Sequence, residues 1–190
     1  MTAEELLNKL KDDKKYKKKI SEKESELRKK HDELVQESKM FSEDCKHFGY
    51  NLQTPWDLIN ISEPYPKLIP ILVKYLEQNN YSSKFREGVA RALAVKDASD
   101  YFDNILCQYN NASVVSENLK WAIACALSGA ATLQKHFDVI KQLIFDRRNG
   151  NSRNALLDTV KLMNIEQKKE ILEYVKTDVQ LLPNLKMNGY

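Results

Sequence analysis

The sequence predicts an all-α fold, an α-solenoid of about three to four stacked helix pairs with an N-terminal helical extension, and three observations carry that expectation. Only five Gly and five Pro occur in 190 residues and 30% of the chain is charged, which suits helices joined by short loops better than a sandwich or barrel. Apolar residues recur at gaps of three and four along most of the chain. The chain also repeats itself. Arg86, Val89, Ala92 and Leu93 map onto Lys120, Ile123, Ala126 and Leu127 at a shift of 34, and the last three of these map onto Leu156, Thr159 and Val160 at a shift of 33. Leu72, Leu106 and Ile140 keep the same step of 34 in a preceding helix, so each repeat is one helix pair that cannot bury its apolar face alone.

The elements follow in order. Residues 3–20 are lysine-rich, with Lys14, Lys15, Lys17, Lys18 and Lys19 close together and only Leu6, Leu7, Leu10, Tyr16 and Ile20 apolar, which predicts a weakly amphipathic helix. Ser21, with Glu24 three residues on, forms a candidate capping box for a longer helix that runs to Phe48 and stops at Gly49. Leu27, His31, Leu34, Ser38, Phe41, Cys45 and Phe48 on that helix form a seam that requires a partner: the repeats, a helical hairpin, or a second copy through residues 21–48. These two helices make up an extension over 1–49, followed by a repeat domain over 54–182 and a tail over 183–190.

Thr54-Pro55-Trp56-Asp57 is a helix start, since Thr54 suits the cap, Pro55 the first helical position and Asp57 the positive helix end. Pro64-Tyr65-Pro66 opens the next helix, and Pro70 should bend its first turns by removing a backbone donor. Phe85 to Val95 is the best-defined second helix, capped by Ser82 or Ser83, and its Gly88, Ala90, Ala92 and Ala94 permit close approach on several sides. Further helices are expected at 100–109, at 116–128 with Gly129 as C-cap, at 133–145, 152–163 and 166–175.

Composition bounds function loosely. Thirty basic residues against twenty-seven acidic ones give a net charge of +3, so a nucleic-acid partner is permitted by local clustering but not implied. Thirteen Lys and Arg against twelve Asp and Glu over residues 1–46 make the Lys14–Lys19 run a solvated helix face before a phosphate- or membrane-binding one. Cys45, Cys107 and Cys125 lack metal-ligand spacing and are expected as reduced core thiols, and His31 has no second ligand one turn away. Met-Thr-Ala-Glu-Glu lacks the signature of a secretory signal, and no window approaches eighteen consecutive apolar residues, so a cytoplasmic location without a membrane span is expected.

Asp146 followed by Arg153, Ala155, Leu156, Leu157 and Val160, with Arg86, Val89, Ala90, Ala92 and Leu93 earlier, resembles the second-helix pattern of HEAT-like repeats over about Pro66 to Leu182. The run from Trp56 through Tyr65 and Pro70 to Leu93 is also similar to a group of small bacterial HEAT-like proteins. The resemblance implies a ladder in which a turn Asp meets a second-helix Arg, although Asp146 and Arg153 stand seven apart, one more than the family's usual register, and the Lys120 repeat lacks the Asp. It further implies a binding surface on the second helices, with Arg86, Glu87, Arg91, Asn118, Lys120, Arg147, Arg148 and Arg153 as candidates. An alternative role for Arg86 and Arg153 is to pair with neighbouring repeats.

No serine elbow, phosphate-binding loop or His-Glu-x-x-His motif is present, so no catalytic residues, cofactor or metal ligands are assigned. A non-catalytic scaffold binding another protein is the leading expectation, with a toxin-neutralising immunity protein as one version. Nucleic-acid binding through Lys14–Lys19 and the arginines is a second class. The third is an alkylpurine DNA glycosylase-like enzyme, for which Trp56, Asp57, Trp121, Arg86 and Arg153 supply residue types but no matching motif.

Overall fold

The structure, a computed structural model, describes residues 14–112 and 116–183, and among these every regular element is helical. The expectations for residues 3–13 and for the tail beyond 183 lie outside the described residues.

The first element is one helix, α1 (Lys14–Glu37), that runs straight through Ser21. The expected cap at Ser21 is therefore not used. Instead i,i+4 ion pairs cross it and follow it, Lys18–Glu22 at 3.8 Å, Glu26–Lys30, and Lys29–Glu33 at 3.9 Å, and these sustain an exposed helix. The expected helix to Phe48 is interrupted at Ser38, whose Oγ donates to the Leu34 carbonyl at 2.7 Å, a back-bond that bends a helix. From there α2 (Lys39–His47) turns onto the repeats. Its Phe41 is fully buried, with edge-to-face contacts to Tyr75 at 5.4 Å and Phe85 at 5.9 Å, and these two rings in turn pack on Tyr81. Tyr75 donates to Asp44 at 3.0 Å, so α2 closes one end of the stack through both apolar and polar contacts.

Three helix pairs follow. The first is α3 (Ile69–Glu77) with α4 (Ser83–Ala92), the second α5 (Phe102–Asn111) with α6 (Glu117–Ala130), the third α7 (Leu133–Phe145) with α8 (Arg153–Leu156) and a 3-10 segment over Leu157–Leu162. Within each pair the helices pack together, α4 packs on α6, and α6 packs on α8, so the second helices form a continuous row and α3 lies beside α5. That is the solenoid expected from the 34-residue step. A closing helix, α9 (Ile165–Thr177), is started by a reciprocal Asn164–Gln167 capping box.

Local chemistry explains the departures from the expected boundaries. Pro70 converts the start of the first pair into a 3-10 turn, Pro66–Leu68, before α3 begins. Ser82 Oγ accepts from the Phe85 amide at 3.1 Å, which fixes the start of α4, and Glu37 of α1 in turn accepts from the Ser82 hydroxyl at 2.6 Å. Helix α8 is short because Gly150 breaks the chain just before it at φ 55°, ψ −137°, and because Thr159 Oγ1 donates to the Leu156 carbonyl at 2.7 Å.

Gly129 is not a C-cap, since α6 continues to Ala130; a Cβ there would stand 2.4 Å from the Ala94 carbonyl carbon. Glycine lets the end of α6 cross the backbone that leaves α4. The centre of the core is α6, with Leu119, Ala122, Ile123, Ala124, Ala126 and Leu127 all fully buried. Each large aliphatic among them contributes about 1.5–3 kcal/mol by leaving water.

Candidate interaction surface

Each second helix carries a cation at the same place in the repeat, Arg86, Lys120 and Arg153, and the structure shows what that place is for. Arg86 is 5% exposed; its Nε and Nη2 donate to the Leu76 carbonyl at the end of α3, at 3.1 and 3.0 Å, and Nη2 also donates to Gln108 of the next pair at 3.2 Å. Burial lowers its pKa from the ordinary arginine value.

Arg153 is fully buried and donates to the Ile144 carbonyl at the end of α7 (3.3 Å), to Gly150 (3.2 Å), to Asp178 beyond α9 (2.8 Å) and to Gln180 (2.6 Å). The Arg153 hydrogen bond holds the Asp178 carboxyl below its usual range. Each arginine thus satisfies the orphan carbonyls of its own first helix and reaches forward to the following repeat.

The expected Asp146–Arg153 rung does not form. Asp146 instead accepts from the Arg148 amide at 3.0 Å and binds the Arg148 guanidinium side-on at 2.8–3.1 Å, which keeps its pKa low, while the carboxylate that meets Arg153 is Asp178. Between Asp146 and Arg153 the chain turns at Gly150, which takes a positive φ of 55°.

Lys120 takes the middle place with a shorter reach. It donates to Asn149 of the next turn at 3.0 Å and lies 4.9 Å above the Tyr109 ring; burial lowers its pKa, with Asp146 opposing. Arg147 is an exposed side chain 3.5 Å from Asp178, and Asn118 is exposed on the first turn of α6.

The candidate arginines therefore divide. Arg86 and Arg153 face inward and hold the stack, the alternative role raised for them from sequence. Arg91, five residues beyond Arg86, points the other way and organises a surface. Its guanidinium donates to Glu87 through Nε and Nη2 at 3.2 and 3.1 Å and lies between two indoles, 5.5 Å from Trp56 and 4.9 Å from Trp121. Lys84 caps the outer face of this array 3.8 Å over Trp56, while Trp56 Nε1 donates to the Lys84 carbonyl at 3.2 Å.

Glycine makes the arrangement possible. A Cβ on Gly88 would stand 2.7 Å from the Trp56 indole, so the missing side chain is the seat in which Trp56 lies. Asp57, next to it, accepts from the Gln53 and Thr54 amides at 2.7 and 3.0 Å and so starts the 3-10 turn Pro55–Asn60 that carries Trp56.

Trp56 and Trp121 are half-buried. Beside them lies a groove of about 490 Å³ with a mixed lining, Leu58, Ile59, Ile61, Tyr65 and Val95 together with Glu63, Arg91, Lys96 and Asp97. The pairing of the two tryptophans across Arg91 was not legible in the sequence, because they stand 65 residues apart and outside the repeat's register.

The thiols also divide. Cys45 is buried and Cys125 half-buried, with burial pushing their pKa values up to about 12 and about 11, but Cys107 is exposed and departs from the expected core position. His31 is exposed on α1, and among the described residues no three His, Cys, Asp or Glu side chains gather closely enough to hold a metal ion. No described helix is long and apolar enough to cross a membrane. No family model, curated protein or solved structure matches this chain.

Proposed function

We propose that this chain is a non-catalytic, HEAT-like scaffold that binds another protein through its second-helix face, centred on Trp56, Arg91 and Trp121. The observation that carries this reading is the Lys84–Trp56–Arg91–Trp121 array, at the surface and beside a groove lined by both apolar and charged side chains. Tryptophan and arginine are the residue types that dominate protein–protein binding energy, and a partly exposed pair of indoles fixed by a glycine seat and an ion pair is preorganised to receive a partner. The groove would accept an apolar side chain of that partner while Arg91 offers its remaining guanidinium edge to a carbonyl or carboxylate.

Nucleic-acid binding draws less support from the geometry. Arg86 and Arg153 are buried and Lys120 is bound to Asn149, so of the cations named for this reading Arg147, Arg148 and the Lys17–Lys19 face remain exposed. The glycosylase reading draws less still, since the Asp57 carboxylate is engaged by two backbone amides.

The experiment is affinity capture with the wild-type chain, with Trp121→Ser and with Arg91→Glu, followed by binding measurements on the partner recovered. A partner that loses at least about tenfold in affinity with both variants, at unchanged melting temperature, supports the reading; a truncated hot-spot residue typically costs 2 kcal/mol or more. A partner bound equally by all three proteins refutes it. Retardation of DNA or RNA at low salt that falls steeply as salt is raised would move the assignment to the nucleic-acid class.

A further inference from the structure

We propose that His136 is a pH-sensitive pin in the joint between the second and third helix pairs: the neutral ring holds the turn that links them, and the protonated ring releases it. Helix α6 ends at Ala130 and α7 begins at Leu133, so Ala131 and Thr132 are the whole link. Thr132 is extended, at φ −104°, ψ 105°, and its carbonyl accepts from the Lys135 and His136 amides, both at 2.9 Å. Its hydroxyl does not cap α7; instead its backbone amide donates to His136 Nδ1 at 3.0 Å. The same ring lies flat on Phe102, 3.8 Å between centroids and 7° from parallel, and Phe102 is the buried first residue of α5. One imidazole therefore fixes the direction in which the chain leaves α6 and touches the preceding pair as well.

A ring that accepts at Nδ1 carries its single proton on Nε2, so a second proton, taken from water, must go to Nδ1. The Thr132 amide then faces another N–H and loses its acceptor. The charge also arrives in the first turn of α7, the positive end of the helix dipole, where no acidic residue stands and Lys135 is the neighbour. Two charges bear on the ring: Asp103, next to Phe102 on α5, favours its protonation and Lys135 opposes it. Burial is the largest influence and sets the folded pKa below the ordinary 6.5. The pinned joint is therefore complete above that value and is lost as pH falls through the folded one. An aromatic face holds a cation as well as a neutral ring, so the part that fails is the Thr132 turn and not the stack on Phe102. Because α8 still packs on α6, the third pair stays in the row while α7 pivots at its own start. The outcome is a change of angle between repeats, short of unfolding.

Nuclear magnetic resonance of the full chain tests the pin. The imidazole resonances of His136 give its titration, and hydrogen exchange, corrected for the intrinsic rate at each pH, gives the protection of each amide. As pH is lowered through the His136 titration, the Thr132 amide is expected to lose about two- to tenfold in protection, the worth of one hydrogen bond, while Ile123 and Leu127 of α6 keep theirs. His136→Asn sets Oδ1 where Nδ1 stood and does not titrate, so it should keep the Thr132 amide protected across the same range. Asp103→Asn removes the carboxylate that favours the charged ring and should move the midpoint to lower pH. Equal losses in wild type and His136→Asn, a His136 titration that leaves Thr132 unchanged, or an even loss that includes α6 would each overturn the proposal.

Discussion

Replacing Arg153 by Met is the sharpest test of how the stack is held. The side chain is fully buried, and its removal leaves the Asp178 carboxylate, 3% exposed, with only the exposed Arg147 at 3.5 Å as a cation, and leaves the Ile144 and Gly150 carbonyls without the donor that satisfied them. Breaking a buried ion pair by deleting one partner costs about 3–5 kcal/mol, because the remaining charge stays desolvated. In a chain of 190 residues that cost lowers the melting temperature by about 6–20 °C, taking about 2–4 °C per kcal/mol. The assay is urea unfolding at pH 7 followed by far-ultraviolet circular dichroism.

Two controls sharpen it. Arg153→Lys should recover only part of the loss, since one ammonium cannot serve the carbonyls and the carboxylate together. Acidification should narrow the gap between wild type and Arg153→Met. The folded-state pKa of Asp178 lies below its unfolded value, so the stability it contributes is present above that unfolded value and is lost as pH falls through the folded one. A cost below about 1 kcal/mol, the value of a surface pair, would refute the assignment of Arg153 as an internal clamp.

Four further outcomes are expected. Gly129→Ala forces a Cβ against the Ala94 backbone and should cost at the upper end of about 1–3 kcal/mol, measured by chemical denaturation. Gly88→Ala meets a side chain instead, so it should cost less and shift the Trp56 fluorescence; a gain in stability, as for an exposed helical glycine, would contradict the seat described for Trp56. His136 Nδ1 accepts the Thr132 amide at 3.0 Å and burial lowers its pKa, so the neutral form belongs to the fold. Its contribution is full above the unfolded value of 6.5 and is lost as pH falls through the folded one, and the urea midpoint of wild type but not of His136→Asn should drop between those limits. Titration with a thiol reagent should find Cys107 fast and Cys45 and Cys125 slow, in keeping with their exposure and raised pKa values.

The helix pairs were legible in the sequence because their cause is periodic. Leu72, Leu106 and Ile140 repeat every 34 residues, and the small and apolar residues of the second helices repeat at steps of 34 and 33, since each pair solves the same packing problem. Boundaries set by one side chain were less legible. Ser21 and Glu24 match a capping box, yet the ion pairs around them favour an unbroken α1; Ser38 matches a seam position, yet its hydroxyl bends the helix toward the stack. Gly129 matches a C-cap, and only the approach of Ala94 from a different repeat shows why it must be small.

The same contrast separates structural residues from candidate functional ones. A position that recurs with the repeat meets the same surroundings each time, and Arg86, Lys120 and Arg153 accordingly bind the end of a first helix or the turn of the next repeat. Arg91 has no such counterpart: one step of 34 leads to Cys125 and the next, of 33, leads to Asp158. Trp56 precedes the first pair, and Trp121 stands where the neighbouring repeats have Glu87 and Asn154. Stacking alone therefore does not require a cation held between two indoles at this point. That is the physical ground for placing the proposed binding surface there and not along the arginine row; on that proposal substitutions at Trp121 should change binding while those at Arg153 change stability.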